Sequence, residues 1–217
     1  MTKPDHRDVV VTGVGPVTSI GIGREALWAS LVAGQANVTT RELPLDLGVL
    51  VGLPLAGMPP PLDIPELQGH NKFLAAQECE TYRDLAYTLL AIELALRDAG
   101  ISFERDTNAI GMVQAFEAPG VEHTVSQLLN MMAGPLPKDG PPRVYEHLAP
   151  SFYRMQPFLY VHVVSKAFGL HGFATSVHNA CSSGAFAIDI AAKQIRSGQS
   201  EVVIVVGGEA FDTAVRI

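Results

Sequence analysis

FATSVHNACSSGAFAIDIAAKQIRSGQSEVVIVV, residues 173 to 206, changes its periodicity twice. Phe173 to Ala180 reads as extended, Ser182 to Ser197 as a helix, and Val202 to Val206 as an unbroken apolar strand. A strand, a helix and a second strand in that order are the repeating unit of a parallel sheet. Ala185, Ile188, Ala192 and Ile195 fall on one stripe of the helix, and Phe186 and Ile190 widen it, which predicts a nearly buried helix. Lys193 and Arg196 sit in its last turns, where they complement the negative end of the helix dipole, and Gly198 stops it. Val202 to Val206 shows no polar alternation, so a strand covered on both faces is expected.

The same grammar extends outward. Val9 to Val11 predicts a short buried strand running into the tight loop Thr12 to Pro16, and Arg24 to Ala33 a helix ended by Gly34. Thr81 to Ala99 carries Leu85, Leu89, Ile92 and Leu96 at helical spacing, pairs Glu93 with Arg97 at i, i+4, and closes at Gly100. A strand is expected over Ala109 to Phe116, a helix over Val121 to Met132, and another helix from Pro157 to Phe168 with Gly169 as its stop. The proline-rich stretches Gly52 to Pro65 and Gly134 to Pro142 predict surface loops without regular structure. Strands alternating with helices indicate an α/β chain with a mostly parallel sheet flanked by helices. No short-period repeat interrupts it, and residues 1–217 are expected to form one domain.

Within the opening stretch, Cys181 falls between strand end and helix start. A thiol there meets unpaired backbone N–H groups and the positive end of the dipole, which favour thiolate and so nucleophilic attack. Those N–H groups could also hold an oxyanion formed from a thioester, and Ser182, Ser183 and Gly184 keep the first turn small enough for a substrate to approach. The competing reading is that a free cysteine packs as a small hydrophobe; local physics leaves the two open. Cys79, between Glu78 and Glu80, sits where neighbouring carboxylates oppose thiolate, and both cysteines are expected as free thiols.

Composition narrows the function classes. The 217 residues are 47% hydrophobic, enough for one substantial core, and the net charge of −7 offers no footprint for nucleic acid or an anionic membrane. No apolar run approaches a membrane span, and a soluble, cytoplasmic chain is expected. Gly13-Val14-Gly15 after an apolar run invites a dinucleotide-binding reading, but Thr18 stands where the third glycine belongs and Pro16 interrupts the helix entry. There is no phosphate loop, no Cys/His metal spacing and no Gly-x-Ser-x-Gly elbow, so no cofactor or metal is expected. His178 lies an odd number of residues from Cys181 on what reads as a strand, which would send the two side chains to opposite faces. The apolar cluster PFLYVHVVSKAF, residues 157 to 168, reads as core.

Ala180-Cys181-Ser182-Ser183 resembles the active-site segment of the β-ketoacyl synthases, the condensing enzymes of fatty-acid and polyketide synthesis, and favours the elongating type. VVVTGVGPVTSIG (9–21), EALWASLVAGQANV (25–38), LLAIELALRDAGI (89–101) and VVIVVGGEA (202–210) resemble further segments of that family in the same order. The resemblance implies a thiolase-like half-fold, with Cys181 taking an acyl group from an acyl-carrier-protein or coenzyme A thioester. It also implies that the second half of the family fold, which carries two histidines, a lysine and a glycine-rich loop near the oxyanion hole, is not in these 217 residues. The expected partners are therefore a carrier protein or acyl-CoA and either a homodimer mate or a separate C-terminal half or homologous subunit. A half-fold would expose apolar surface, so a tendency to associate is expected, and a non-catalytic interaction protein that kept the fold is the alternative. One departure from the family pattern is Asn179, where threonine is frequent.

Overall fold

The computed structural model describes residues 8–41, 53–56, 63–79, 82–102, 109–116 and 156–208. Strands β1 (Val17–Thr18) and β2 (Gly21–Ile22) form a tight antiparallel pair before helix α1 (Arg24–Val32), and β3 (Val38–Arg41) pairs antiparallel with β4 (Leu53–Ala56). A 3₁₀ turn at Pro65–Leu67 leads into α2 (Gln68–Ala76), then α3 (Arg83–Asp98) and β5 (Ile110–Ala115). The remainder is α4 (Pro157–Phe168), β6 (Ala174–Val177), a 3₁₀ turn at Ala180–Ser182, α5 (Ser183–Arg196) and β7 (Val202–Gly207). The expected helix over 121–132 and loop over 134–142 lie outside the described residues.

The central sheet is parallel with order β6, β5, β7, and Met112 lies opposite Ala174 on one side and Ile204 on the other. All six residues of β5 are buried, as a strand flanked and covered on both faces requires. Successive side chains alternate between its faces. Ile110, Met112 and, just past the strand, Phe116 join Leu85, Leu89 and Ile92 of α3 and Tyr160, Val163 and Val164 of α4 in the main core. Val113 and Ala115 point the other way and pack on Ala187 and Ala191 of α5. Helix α5 connects β6 to β7 across β5, the crossover that parallel strands need. This α/β arrangement, the α3 and α4 boundaries with their stops at Gly100 and Gly169, the Glu93–Arg97 pair and the core reading of residues 157 to 168 agree with expectation.

Four expectations are corrected. Val9 to Val11 pairs with no strand among the described residues, and Val10 and Val11 are 71% and 83% exposed. The loop that follows it is held against the end of α3: the Val14 amide donates to Asp98 Oδ2 (2.9 Å), and Arg24 pairs with the other Asp98 oxygen (2.7 Å). Within 52–65, four residues form β4 despite Pro54, because a two-stranded ladder leaves one side of each strand free of hydrogen bonds. Strand β7 is fully covered on one face only: Ile204 and Val206 are buried, while Val205 is exposed. Finally, the buried stripe of α5 is Ser183, Ala187 and Ala191, and Phe186 and Ile188 are exposed. Small side chains let the helix backbone approach the sheet closely, so the alanine face wins the contact and the larger residues are left outward.

Gly13 and Gly15 owe their identity to α3. A Cβ on Gly15 would overlap the Ala91 carbonyl oxygen, and one on Gly13 would overlap that of Ala95. Gly15→Ala should therefore destabilise the chain by about 1–3 kcal/mol, whereas Gly184→Ala, at a helical position with open space around it, should be neutral or stabilising by up to about 1 kcal/mol; thermal melts of the two variants check this.

A buried polar contact joins α3 to α4. Tyr160 Oη donates to Asp84 Oδ1 (2.9 Å), and the Leu85 amide donates to the same oxygen (2.9 Å). Burial first, then the Asp84 carboxylate, hold the Tyr160 phenol well above its ordinary value of 10.0. The folded chain thus keeps a proton that the unfolded chain releases, so this contribution to stability is complete below about pH 10. It should be lost at about 1.4 kcal/mol per pH unit as pH rises toward the folded value. Tyr160→Phe should remove that alkaline slope while costing about 1–3 kcal/mol at neutral pH, where Asp84 loses a donor, as read from urea unfolding at neutral and alkaline pH.

Candidate functional site

Strand β6 delivers the chain to the C-terminal end of the parallel sheet, where open α/β sheets bind their ligands. Beyond Val177 the backbone leaves the strand, and Ala180 adopts a left-handed conformation (φ 47°), which costs a residue with a Cβ about 1–2 kcal/mol. The 3₁₀ turn and α5 follow at once, so Cys181 stands on a sharp elbow between strand and helix. Its side chain is exposed, so among the described residues the thiol is not packed as a small core hydrophobe.

Two serines tie the elbow. Ser182 Oγ donates to the Asn179 carbonyl (2.7 Å). Ser183 Oγ donates to the Ala180 carbonyl (2.8 Å) and accepts from the Asn179 amide (2.7 Å). Ser183 is 5% exposed and heads the buried stripe of α5, so the packing of that helix on Val113 and Ala115 also fixes the turn. The amides of Ser182 and Ser183, offered by the sequence to an oxyanion, instead donate inside the turn to Asn179 and Ala180. An oxyanion must draw on other donors.

His178 is exposed, with Nε2 3.3 Å from Ser176 Oγ. Since β6 ends at Val177, the alternation argument that separated it from Cys181 does not apply between them. Cys79 is 3% exposed, and its Sγ lies 3.3 Å from the Gln77 carbonyl. The sequence places Cys181 at the strand-to-helix junction where the structure has it, and does not reveal the serine hydrogen bonds around it: a serine two positions after a helix-start cysteine is a visible signal, but nothing in the sequence marks Ala180 as left-handed.

A second feature lies away from Cys181. A cleft of about 1260 Å³ opens between the N-terminal segment with α1 and the β7 edge with α5, lined by Val11, Trp28, Leu31, Ile188 and Val205 among others. Several of these are strongly exposed, Ile188 at 61%. The Val9 to Val11 run and the outward face of α5 thus share one apolar surface among the described residues.

Residues 75–215 match the family model described as β-ketoacyl synthase, N-terminal domain. The chain is 28% identical over 211 residues to nodulation protein E of Rhizobium leguminosarum bv. trifolii, and 30% identical over 217 residues to 3-oxoacyl-[acyl-carrier-protein] synthase 2 of Rhizobium meliloti (strain 1021). Each comparison covers 94% of this chain and 47% of the relative, so the chain spans about half the length of these proteins. The solved ishigamide ketosynthase/chain length factor superposes with a TM-score of 0.64 at 21% identity, covering 93% of this chain and 47% of that one, a likeness of fold.

The exposure contrast gives a direct expectation. Iodoacetamide should modify Cys181 in the folded chain at least about tenfold faster than Cys79, with Cys79 reacting only after unfolding; peptide mass spectrometry reads both sites.

Proposed function

From the premise that this chain belongs to the β-ketoacyl synthase family and corresponds to its N-terminal domain, we propose that it is the acyl-accepting half of a condensing enzyme, with Cys181 as nucleophile. The observation that carries this is the exposed thiol on a strand-to-helix elbow at the C-terminal end of the sheet. Cys181, as thiolate, attacks the carbonyl of an acyl thioester. A new carbon–sulfur bond forms, the tetrahedral oxyanion collapses, and the carrier thiolate leaves and takes a proton. The acyl chain then rests on Cys181 until a carbanion from a decarboxylating malonyl thioester attacks it, giving a β-ketoacyl product and returning the thiolate.

The chain's own contribution is the placement of the sulfur. With the Ser182 and Ser183 amides engaged in the turn, oxyanion stabilisation falls to donors such as the Cys181 amide and the glycine-rich loop that the resemblance places in the second half. Condensation requires the two histidines and the lysine of that half. The name of the Rhizobium meliloti relative supports an acyl-carrier-protein thioester as donor in this reading. The apolar cleft, where Trp28, Leu31 and Ile188 are exposed together, offers a surface on which a complementary partner could pack, whether a C-terminal half, a homologous subunit or a second copy. The same cleft favours the alternative in which the chain serves as a non-catalytic interaction subunit. We place either role in the cytoplasm.

Intact-protein mass spectrometry after incubation with an acyl-carrier-protein thioester separates the readings. A single acyl adduct, absent from Cys181→Ala, is expected, with no elongated product when malonyl-carrier protein is added to this chain alone. Folded protein that acquires no adduct, with or without a complementary half, would sink the acyl-accepting role and leave the interaction subunit.

A further inference from the structure

We propose that Ser183 is a positioning residue for Cys181, its hydroxyl clamping the left-handed Ala180 so that the thiol is held outward at the start of α5. The inference rests on the reading of Cys181 as the acyl acceptor, and it deepens that reading by naming what holds the sulfur in place. The Ser183 hydroxyl bridges two backbone atoms on either side of the elbow, accepting from the Asn179 amide at 2.7 Å and donating to the Ala180 carbonyl at 2.8 Å. Cys181 lies between the bridged residues and the serine, so the loop closed by this hydroxyl contains the nucleophile itself. Ser183 is buried at 5% exposure and both of its bonds are part-buried, while Cys181 is exposed. Ser182 cannot substitute, because its hydroxyl reaches only the Asn179 carbonyl.

The elbow also explains why a clamp is required. Ala180 occupies a region of backbone space that glycine enters freely and alanine does not. Loss of the hydroxyl removes two of the hydrogen bonds that hold Asn179 and Ala180, alongside those from the Ser182 and Ser183 amides, so the backbone at Ala180 gains freedom to shift and the Cα–Cβ direction of the next residue turns with it. Small displacements of a reacting atom are costly in rate. The clamp therefore acts on the nucleophile's direction and touches no substrate.

The test uses the full chain and the rate of Cys181 carbamidomethylation by iodoacetamide, followed by peptide mass spectrometry, with acyl loading as a separate arm. Ser183→Ala should slow modification roughly tenfold, Ser183→Thr, which keeps the hydroxyl, should stay within about twofold of the natural chain, and Ala180→Gly added to Ser183→Ala should recover most of the loss. A Ser183→Ala rate equal to that of the natural chain overturns the proposal. So does a Ser183→Thr variant slowed as far as Ser183→Ala, which would assign the effect to packing. Should Ser183→Ala lose its helical circular dichroism, the double variant and Ser183→Thr decide: both folded and fast supports the clamp, and a folded but slow double variant overturns it. A natural chain that alkylates rapidly but accepts no acyl group strikes the acyl reading alone and leaves the alkylation result to judge the clamp.

Discussion

The packing of α5 on β5 governs the rest of the described structure. Ala187 and Ala191 meet Val113 and Ala115 directly, with Ile190, Val177 and Val203 packed around them, so the small alanines let the helix sit close and fix its start in space. Strand β5 is buried along its whole length, with β6 and β7 paired on its two sides. The elbow that joins β6 to α5 must turn within a few residues once both ends are set, and Ala180 carries the turn in a left-handed conformation. Backbone strain of this kind persists where surrounding structure determines it, and it is found at functional positions.

The opposite side of the molecule follows another logic. Helix α3 supplies the main core and also organises the N-terminal segment, receiving Gly13 and Gly15 against its backbone and holding Val14 and Arg24 through Asp98. That leaves Val10, Val11, Trp28 and Leu31 outside the core, facing the exposed side of α5 and the edge of β7, which has no further partner strand among the described residues, across an apolar cleft. A well-filled core thus stands beside an apolar surface that no described residue covers.

Much of the architecture was legible because hydrophobic period and stop residues act locally. Leu85, Leu89, Ile92 and Leu96 repeat at helical spacing, and each is buried on α3. Gly100 and Gly169 end their helices in left-handed conformations. The errors arose where a local rule met a tertiary choice. A β-branched run becomes a buried strand only when a neighbour supplies its hydrogen bonds, and Val9 to Val11 has none among the described residues. The bulky stripe of α5 looked like its buried face, yet the smaller one allowed closer approach.

The sequence by itself determined helices α1, α3, α4 and α5, strands β5 to β7, the position of Cys181 at a strand-to-helix junction and the family to which that junction belongs, because periodicity, breakers and motif are written in neighbouring residues. Only the tertiary structure decided that Ala180 is left-handed, that Ser183 bridges the elbow, that the amides of Ser182 and Ser183 are spent within the turn, and that Ile188 and the N-terminal valines share an open cleft. Those features depend on which surfaces approach most closely and which backbone groups find partners, quantities set by the packing of segments far apart in the chain.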